Sequence, residues 1–163
     1  YTLRAALDYP GVSRVIVAEI EPVVIEWNRL HFGDINGFAL DDARCVVVLD
    51  DILQVAGAGE GPFDAILLDT DNGPGSLVRD DNRAIYLPAG QRKFRDSLRP
   101  GGCLGVWSAD ANAGFERLLR RVFGGVDAVE APCSYAPEPD RIYVSRRGNR
   151  DRVIESLARK HRA

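Results

Sequence analysis

The run Val15-Ile16-Val17-Ala18-Glu19, followed at once by Ile20-Glu21-Pro22, constrains this chain more than any other stretch. Four successive small or branched apolar residues predict a strand covered on both faces, which is the situation of a parallel strand. The chain then turns through Pro22, a residue suited to a helix's first turn. An amphipathic helix follows, with Val23, Trp27 and Leu30 on one face and Glu26 and Arg29 on the other. A carboxylate at the carboxyl end of a parallel strand points into the crevice where α/β folds bind ligands, and such a group commonly accepts hydrogen bonds from a ribose. Asp50-Asp51 closes the next strand-like run, and Asp69-Thr70-Asp71 the one after. Acids at three consecutive strand ends are the layout of a nucleoside site.

The remaining elements alternate in the same way. Thr2 to Leu7 reads as the end of a helix stopped by Pro10-Gly11, and Arg14 to Glu19 as the first strand. The helix Val23 to Phe32 is expected to stop at Gly33, with a loop from Ile35 to Ala43 and a strand from Cys45 to Leu49. Ile52 to Val55 makes a short helix, which Asp51 is placed to cap. A continuous apolar strand, Asp64 to Asp69, leads into a polar loop too long for a simple connector, and loops of that length often act as lids. A helix around Ala89 to Leu98 then meets a tight turn at Arg99-Pro100-Gly101-Gly102 and a strand from Cys103 to Ser108. Phe115, Leu118, Leu119, Val122 and Phe123 form a helical stripe ended by Gly124-Gly125. The join between Val126 to Ala131 and Arg141 to Ser145 is too short for a helical crossover, so these strands are expected to be antiparallel. The class is α/β: a Rossmann-like, mostly parallel sheet with an antiparallel terminal strand.

Composition sets the outer bounds. A length of 163 residues suits one compact domain, read as residues 1–148, with a basic carboxyl-terminal helix or tail over 149–163 capped by Asn149. That tail is either a solvated helix or a docking surface for an acidic partner. A net charge of −3 carries no footprint for nucleic acid. Cys45 and Cys103 adjoin apolar runs and read as buried reduced thiols, and Cys133 leaves the count odd. His31 and His161 lie on helical segments away from the acids, so no metal site is expected. Neither a membrane-spanning run nor a secretory signal is visible, and a cytoplasmic location is the default expectation.

Four stretches carry a family resemblance: Val17 to Pro22, Val48-Leu49-Asp50, Phe63 to Asp69, and Leu98 to Gly102. In this order, with Asp69-Thr70-Asp71 and Gly73-Pro74 in place, the chain resembles the spermidine synthase branch of the class I S-adenosylmethionine-dependent methyltransferase superfamily. The resemblance implies S-adenosylmethionine or its decarboxylated form as co-substrate, with an aminopropyl or methyl group passed to a small-molecule amine. Glu19 matches the acid that holds the ribose hydroxyls. Asp50 matches the one that receives the adenine amino group, and Ile52 is an apolar neighbour of the ring. Asp69 matches the acid that lies against the amine and assists its deprotonation. Such chemistry is coherent, because an amine must lose a proton before it attacks a sulfonium carbon, and a carboxylate both attracts the cation and accepts the proton. Asp71, Asn72 and Tyr86 are the candidate acceptor-binding residues, although for Tyr86, as for Trp107, core packing is the plainer reading.

Two departures accompany the resemblance. Asn72 stands where the family places its second acid; it can hydrogen-bond an ammonium but cannot neutralise it. The family's first strand and glycine-rich loop would precede the helix ending at Leu7, so the chain reads as an amino-terminally truncated version. Two other functions stay open at this point: a nicotinamide-dependent oxidoreductase, whose ribose acid occupies a similar place, and a non-catalytic relative that acts by association, as a homo-oligomer.

Overall fold

The structure is a computed structural model, described here for residues 1–132 and 138–148. These residues fall into two compact units, Tyr1–Ala58 and the part from Gly59 onward. Asn149, the basic tail, His161 and Cys133 lie outside the described residues.

The first unit contains helix α1 (Thr2–Asp8), strand β1 (Val15–Glu19), helices α2 (Pro22–Leu30) and α3 (Gly33–Asn36), strand β2 (Cys45–Leu49) and helix α4 (Ile52–Gly57). Strands β1 and β2 pair in parallel, with Val15 opposite Cys45 and Glu19 opposite Leu49. Leu7, Ala39, Val55 and Ala56 supply the buried apolar side chains. Gly33 does not stop a helix, as its position after an amphipathic run suggests. It begins α3 instead, and a β-carbon there would meet the Phe38 ring at 2.4 Å. Close packing, not helix termination, is therefore what requires glycine. The segment expected to be a loop accordingly holds α3 and a 3-10 turn at Ala39–Asp41. Helix α2 buries none of its residues: Val23, Trp27 and Leu30 share one face, as expected, but are 39%, 49% and 65% exposed.

The entry to β2 is clamped electrostatically. Asp42 Oδ1 accepts from the Arg44 amide at 2.9 Å and from Nε at 3.0 Å, Oδ2 accepts from Nη2 at 2.8 Å, and Nη1 donates to the Val12 carbonyl at 3.2 Å. The Arg44 side chain holds the Asp42 carboxyl well below the usual carboxylate range. A lowered folded-state value stabilises the fold at neutral pH, and that contribution fades as pH falls below about 4. Asp42→Asn should therefore lower the melting temperature at pH 7 and flatten its acid decline, as a set of thermal melts between pH 2 and 7 would show.

The second unit contains β3 (Phe63–Leu68), α5 (Pro88–Ser97), β4 (Leu98–Ser108), α6 (Ala113–Phe123), β5 (Asp127–Ala131) and β6 (Asp140–Arg146). Its sheet has the order β3-β4-β6-β5, with β3 and β4 parallel and β6 antiparallel to both of its neighbours. Phe94, Leu98, Leu104, Leu119 and Tyr143 are fully buried between the sheet and α5 and α6. The predicted stripe Phe115, Leu118, Leu119, Val122 and Phe123 is the buried face of α6. Arg99 to Gly102 is not a separate turn but a bulged part of β4: Phe63 faces Leu98, whereas Ala65 faces Cys103. Arg147 holds the bulge. Its amide donates to Gly102 at 2.8 Å, its carbonyl accepts from the Gly101 amide at 2.9 Å, and Nη1 donates to the carbonyls of Asp96 and Leu98.

Within each unit the strands pair in the expected directions, but among the described residues they form two hydrogen-bonded sets where a single sheet was expected: β1 pairs only with β2, and β3 only with β4. Cys45 and Cys103 are free thiols, half-buried where full burial was expected. No helix among the described residues is long and apolar enough to cross a membrane.

Candidate functional site

In the first unit, two carboxylates stand at the carboxyl ends of neighbouring parallel strands. Glu19 is the last residue of β1, paired with Leu49, so Asp50 lies one step beyond its partner on β2. Adjacent strands are about 4.8 Å apart, which sets the two acids side by side along one edge of the ladder. Glu19 Oε1 accepts from the Glu21 amide at 2.8 Å, tying the carboxylate to the turn into α2. Asp50 is exposed and accepts from the Asp51 amide at 2.8 Å. Asp51 accepts from the Leu53 amide at 2.6 Å and caps α4, the part expected of it. Ile52, half-buried, is the first residue of that helix.

The cap and its neighbour are separable by experiment. Asp51→Ala should cost roughly 0.5–2 kcal/mol of stability, the usual range for a lost N-cap, in a urea melt. Asp50→Asn should leave the same melt unchanged within about 0.5 kcal/mol.

The second unit presents another polar strand end. Asp69 and Thr70 follow β3 and are exposed, and Asp69 is already engaged by its surroundings. Asp71 is different: only 5% of it is exposed. Its Oδ1 accepts from the Val78 amide at 2.8 Å, closing the residues between into a strap, while Oδ2 is buried with no hydrogen-bond partner among the described residues. Asn72 is exposed, and its carbonyl accepts from the Ala109 amide at 3.0 Å. Gly73 has φ +111° and lies so close to Ser108 that a β-carbon would come within 2.0 Å of Oγ. The strap is thus fastened to the end of β4 at its root.

Tyr86 packs in the core, as its plainer reading held, and is 8% exposed. Its ring meets Phe115 edge to face, and Phe115 meets Tyr143 in the same way. Its hydroxyl nevertheless reaches Thr70 Oγ1 at 3.4 Å. Burial pushes the phenol up, and the nearby Asp71 charge adds to that effect. Trp107 is half-buried and donates from Nε1 to Asp140 at 3.2 Å. The structure therefore gathers Asp71, Tyr86 and Thr70 at one strand end, and Glu19 with Asp50 at another pair. Thr70 and Ser108 escaped the sequence reading; the one local signal for Ser108 was a glycine in a loop that must approach a strand.

Comparison with known proteins shows which proteins the chain and its fold are similar to. A polyamine aminopropyltransferase of Mycobacterium tuberculosis is 30% identical over 145 residues, covering 86% of this chain and 26% of that protein. Polyamine aminopropyltransferase 2 of Pseudomonas aeruginosa is 26% identical over 141 residues, covering 80% of the chain and 38% of the relative. Spermidine synthase from Thermotoga maritima superposes with a TM-score of 0.73 at 19% identity, over 90% of this chain and 50% of that one. The chain has the spermidine synthase-like form of the class I S-adenosylmethionine-dependent methyltransferase fold. A spermidine synthase in complex with the transition-state analogue AdoDATO gives a TM-score of 0.71 at 18% identity. A human methyltransferase-like protein in complex with SAH gives 0.65 at 23%. No protein-family model matches. The spermidine synthase-like chain spans about a quarter of the length of the mycobacterial relative and half that of the Thermotoga structure.

Proposed function

We propose that the chain is a transferase domain that binds S-adenosylmethionine or its decarboxylated form and passes an aminopropyl or methyl group to an amine. The observation that supports this most is the acid at the end of each of β1, β2 and β3, in a chain similar to polyamine aminopropyltransferases. Glu19 holds the ribose hydroxyls and Asp50 the adenine amino group, with Ile52 against the ring. The co-substrate supplies the sulfonium carbon; the protein's part is to orient the nucleoside and to receive a proton. Asp69 attracts the ammonium form of the acceptor and takes its proton, which frees the nitrogen lone pair for attack. Asp71, Asn72 and Tyr86 belong to the acceptor side. The location is cytoplasmic in this reading.

Calorimetric titration tests the assignment. Binding of 5′-methylthioadenosine without binding of NAD supports it; NAD binding alone would point to an oxidoreductase. Binding of neither would leave a fold that acts by association. One observation favours that second reading, the exposed apolar face of α2, since contiguous apolar surface commonly marks an interface. Light scattering at micromolar concentration distinguishes a homo-oligomer from a monomer.

A further inference from the structure

Asparagine followed by glycine is the pair in which a backbone most readily attacks its own side chain, because glycine has no β-carbon to shield the attacking nitrogen. The chain holds two such pairs, Asn36-Gly37 and Asn72-Gly73, and their surroundings differ. Asn36 is tied down. Its Nδ2 donates to Asn28 Oδ1 at 3.0 Å, its Oδ1 accepts from the Ala39 amide at 3.3 Å, and the Gly37 amide donates to the Gly33 carbonyl. Both the group that would leave and the nitrogen that would attack are therefore engaged. Asn72 is exposed, and among the described residues neither its side-chain amide nor the Gly73 N–H has a hydrogen-bond partner. Gly73 is a buried residue, where an unpaired backbone donor is rare. The backbone bonds at this pair, from the Ala109 amide to the Asn72 carbonyl and from the Ser76 amide to the Gly73 carbonyl, engage oxygens alone.

We propose that Asn72-Gly73 is a site of self-modification, whereas Asn36-Gly37 is protected by its hydrogen bonds. The Gly73 nitrogen bonds to Asn72 Cγ and gives up its proton; the Cγ–Nδ2 bond breaks, and Nδ2 leaves as ammonia with that proton. Water then opens the cyclic imide. Cleavage of the new bond to Cγ leaves aspartate on an unchanged backbone, and cleavage of the original peptide bond leaves isoaspartate, with the backbone running through the side chain. Either product gives Asp69 and Asp71 a further acidic neighbour. Isoaspartate also lengthens the backbone beside Gly73, which already lies too close to Ser108 to accept a β-carbon, so it loosens the root of the strap. The acceptor side thus changes charge as the protein ages. That consequence rests on the amine reading of this strand end; the modification itself does not.

The test ages the 163-residue chain at mildly alkaline pH, with and without urea, and follows both asparagines by peptide mass mapping with isoaspartate detection. In the folded chain Asn72 should convert about tenfold or more faster than Asn36, the least expected when three hydrogen bonds must first break. In urea the two rates should come together, since the local chemistry is then the same. Asn28→Ala removes the partner of Asn36 Nδ2; it should raise conversion at Asn36 severalfold in the folded chain and leave Asn72 unchanged. Asn72→Gln, whose longer side chain cyclises far more slowly, should abolish the acidic species that accumulates on ion exchange. Equal rates at the two pairs in the folded chain, or conversion of Asn72 in urea alone, would overturn the proposal. Neither result bears on nucleoside binding, so the transferase reading stands or falls separately.

Discussion

Replacing Asp69 with asparagine should abolish transfer while leaving nucleoside affinity within about twofold of the parent. The amide keeps the size and hydrogen-bonding capacity of the side chain but can neither take the acceptor's proton nor attract its charge, and general-base catalysis typically contributes a factor of about 10²–10⁴. Glu19→Gln should show the opposite pattern. Losing a charge-assisted hydrogen bond to a ribose hydroxyl costs on the order of 1.5–3 kcal/mol, or roughly ten- to a hundredfold in nucleoside affinity. Both variants are measured in the natural full-length protein, by calorimetry with 5′-methylthioadenosine and by product formation. If neither substitution changes affinity or turnover, the transferase assignment is wrong and an associating, non-catalytic role takes its place.

Gly73→Ala should be among the most damaging single changes in the second unit. The new methyl would sit 2.0 Å from Ser108 Oγ, 2.8 Å from its Cβ and 3.1 Å from its Cα, at a φ of +111° that side chains rarely adopt. Overpacking and the unfavourable backbone together cost roughly 2–5 kcal/mol, read as a lower urea midpoint. Relief is partial at best: Ser108→Ala in the same chain removes the nearest atom but leaves the β-carbon contact, and it forfeits the 2.7 Å bond that Ser108 donates to the Asp110 carbonyl. A double-mutant cycle should therefore give a coupling energy well above zero yet leave much of the loss in place. Additive effects of the two substitutions would show that the strap root does not touch Ser108.

The strands were legible because Val15 to Ala18, Cys45 to Leu49 and Ile66 to Leu68 are short apolar runs bounded by acids or turn residues, a signal that needs no tertiary information. The same holds for Asp51, whose capping role is decided by its nearest neighbours. Gly33 and the Arg99 to Gly102 stretch misled for one shared reason. Both carry the local signature of a stop or a turn, and both are governed by distant partners, the Phe38 ring in one case and the Arg147 backbone in the other. Asp71 was placed among the acceptor residues by its position beside Asp69, but its burial was not readable. A charged residue in a polar loop looks solvated until the Val78 amide is seen to fold back over it. Glu19 and Asp50 became neighbours only through the β1–β2 register, which no spacing along the chain encodes.

The edge-to-face series Tyr86, Phe115 and Tyr143 links the proposed acceptor side directly to the fully buried centre of the second unit, where the Tyr143 hydroxyl also accepts from the Asn112 amide at 2.7 Å. One consequence concerns how such a protein can change over generations. A wall residue that is also a core residue cannot be traded freely, since any substitution that reshapes selectivity at Tyr86 disturbs the packing that keeps the unit folded. New acceptor preferences are therefore more accessible through exposed Thr70 and Asn72 than through the aromatic wall, and drift at the wall must be accompanied by compensation at Phe115 or Tyr143.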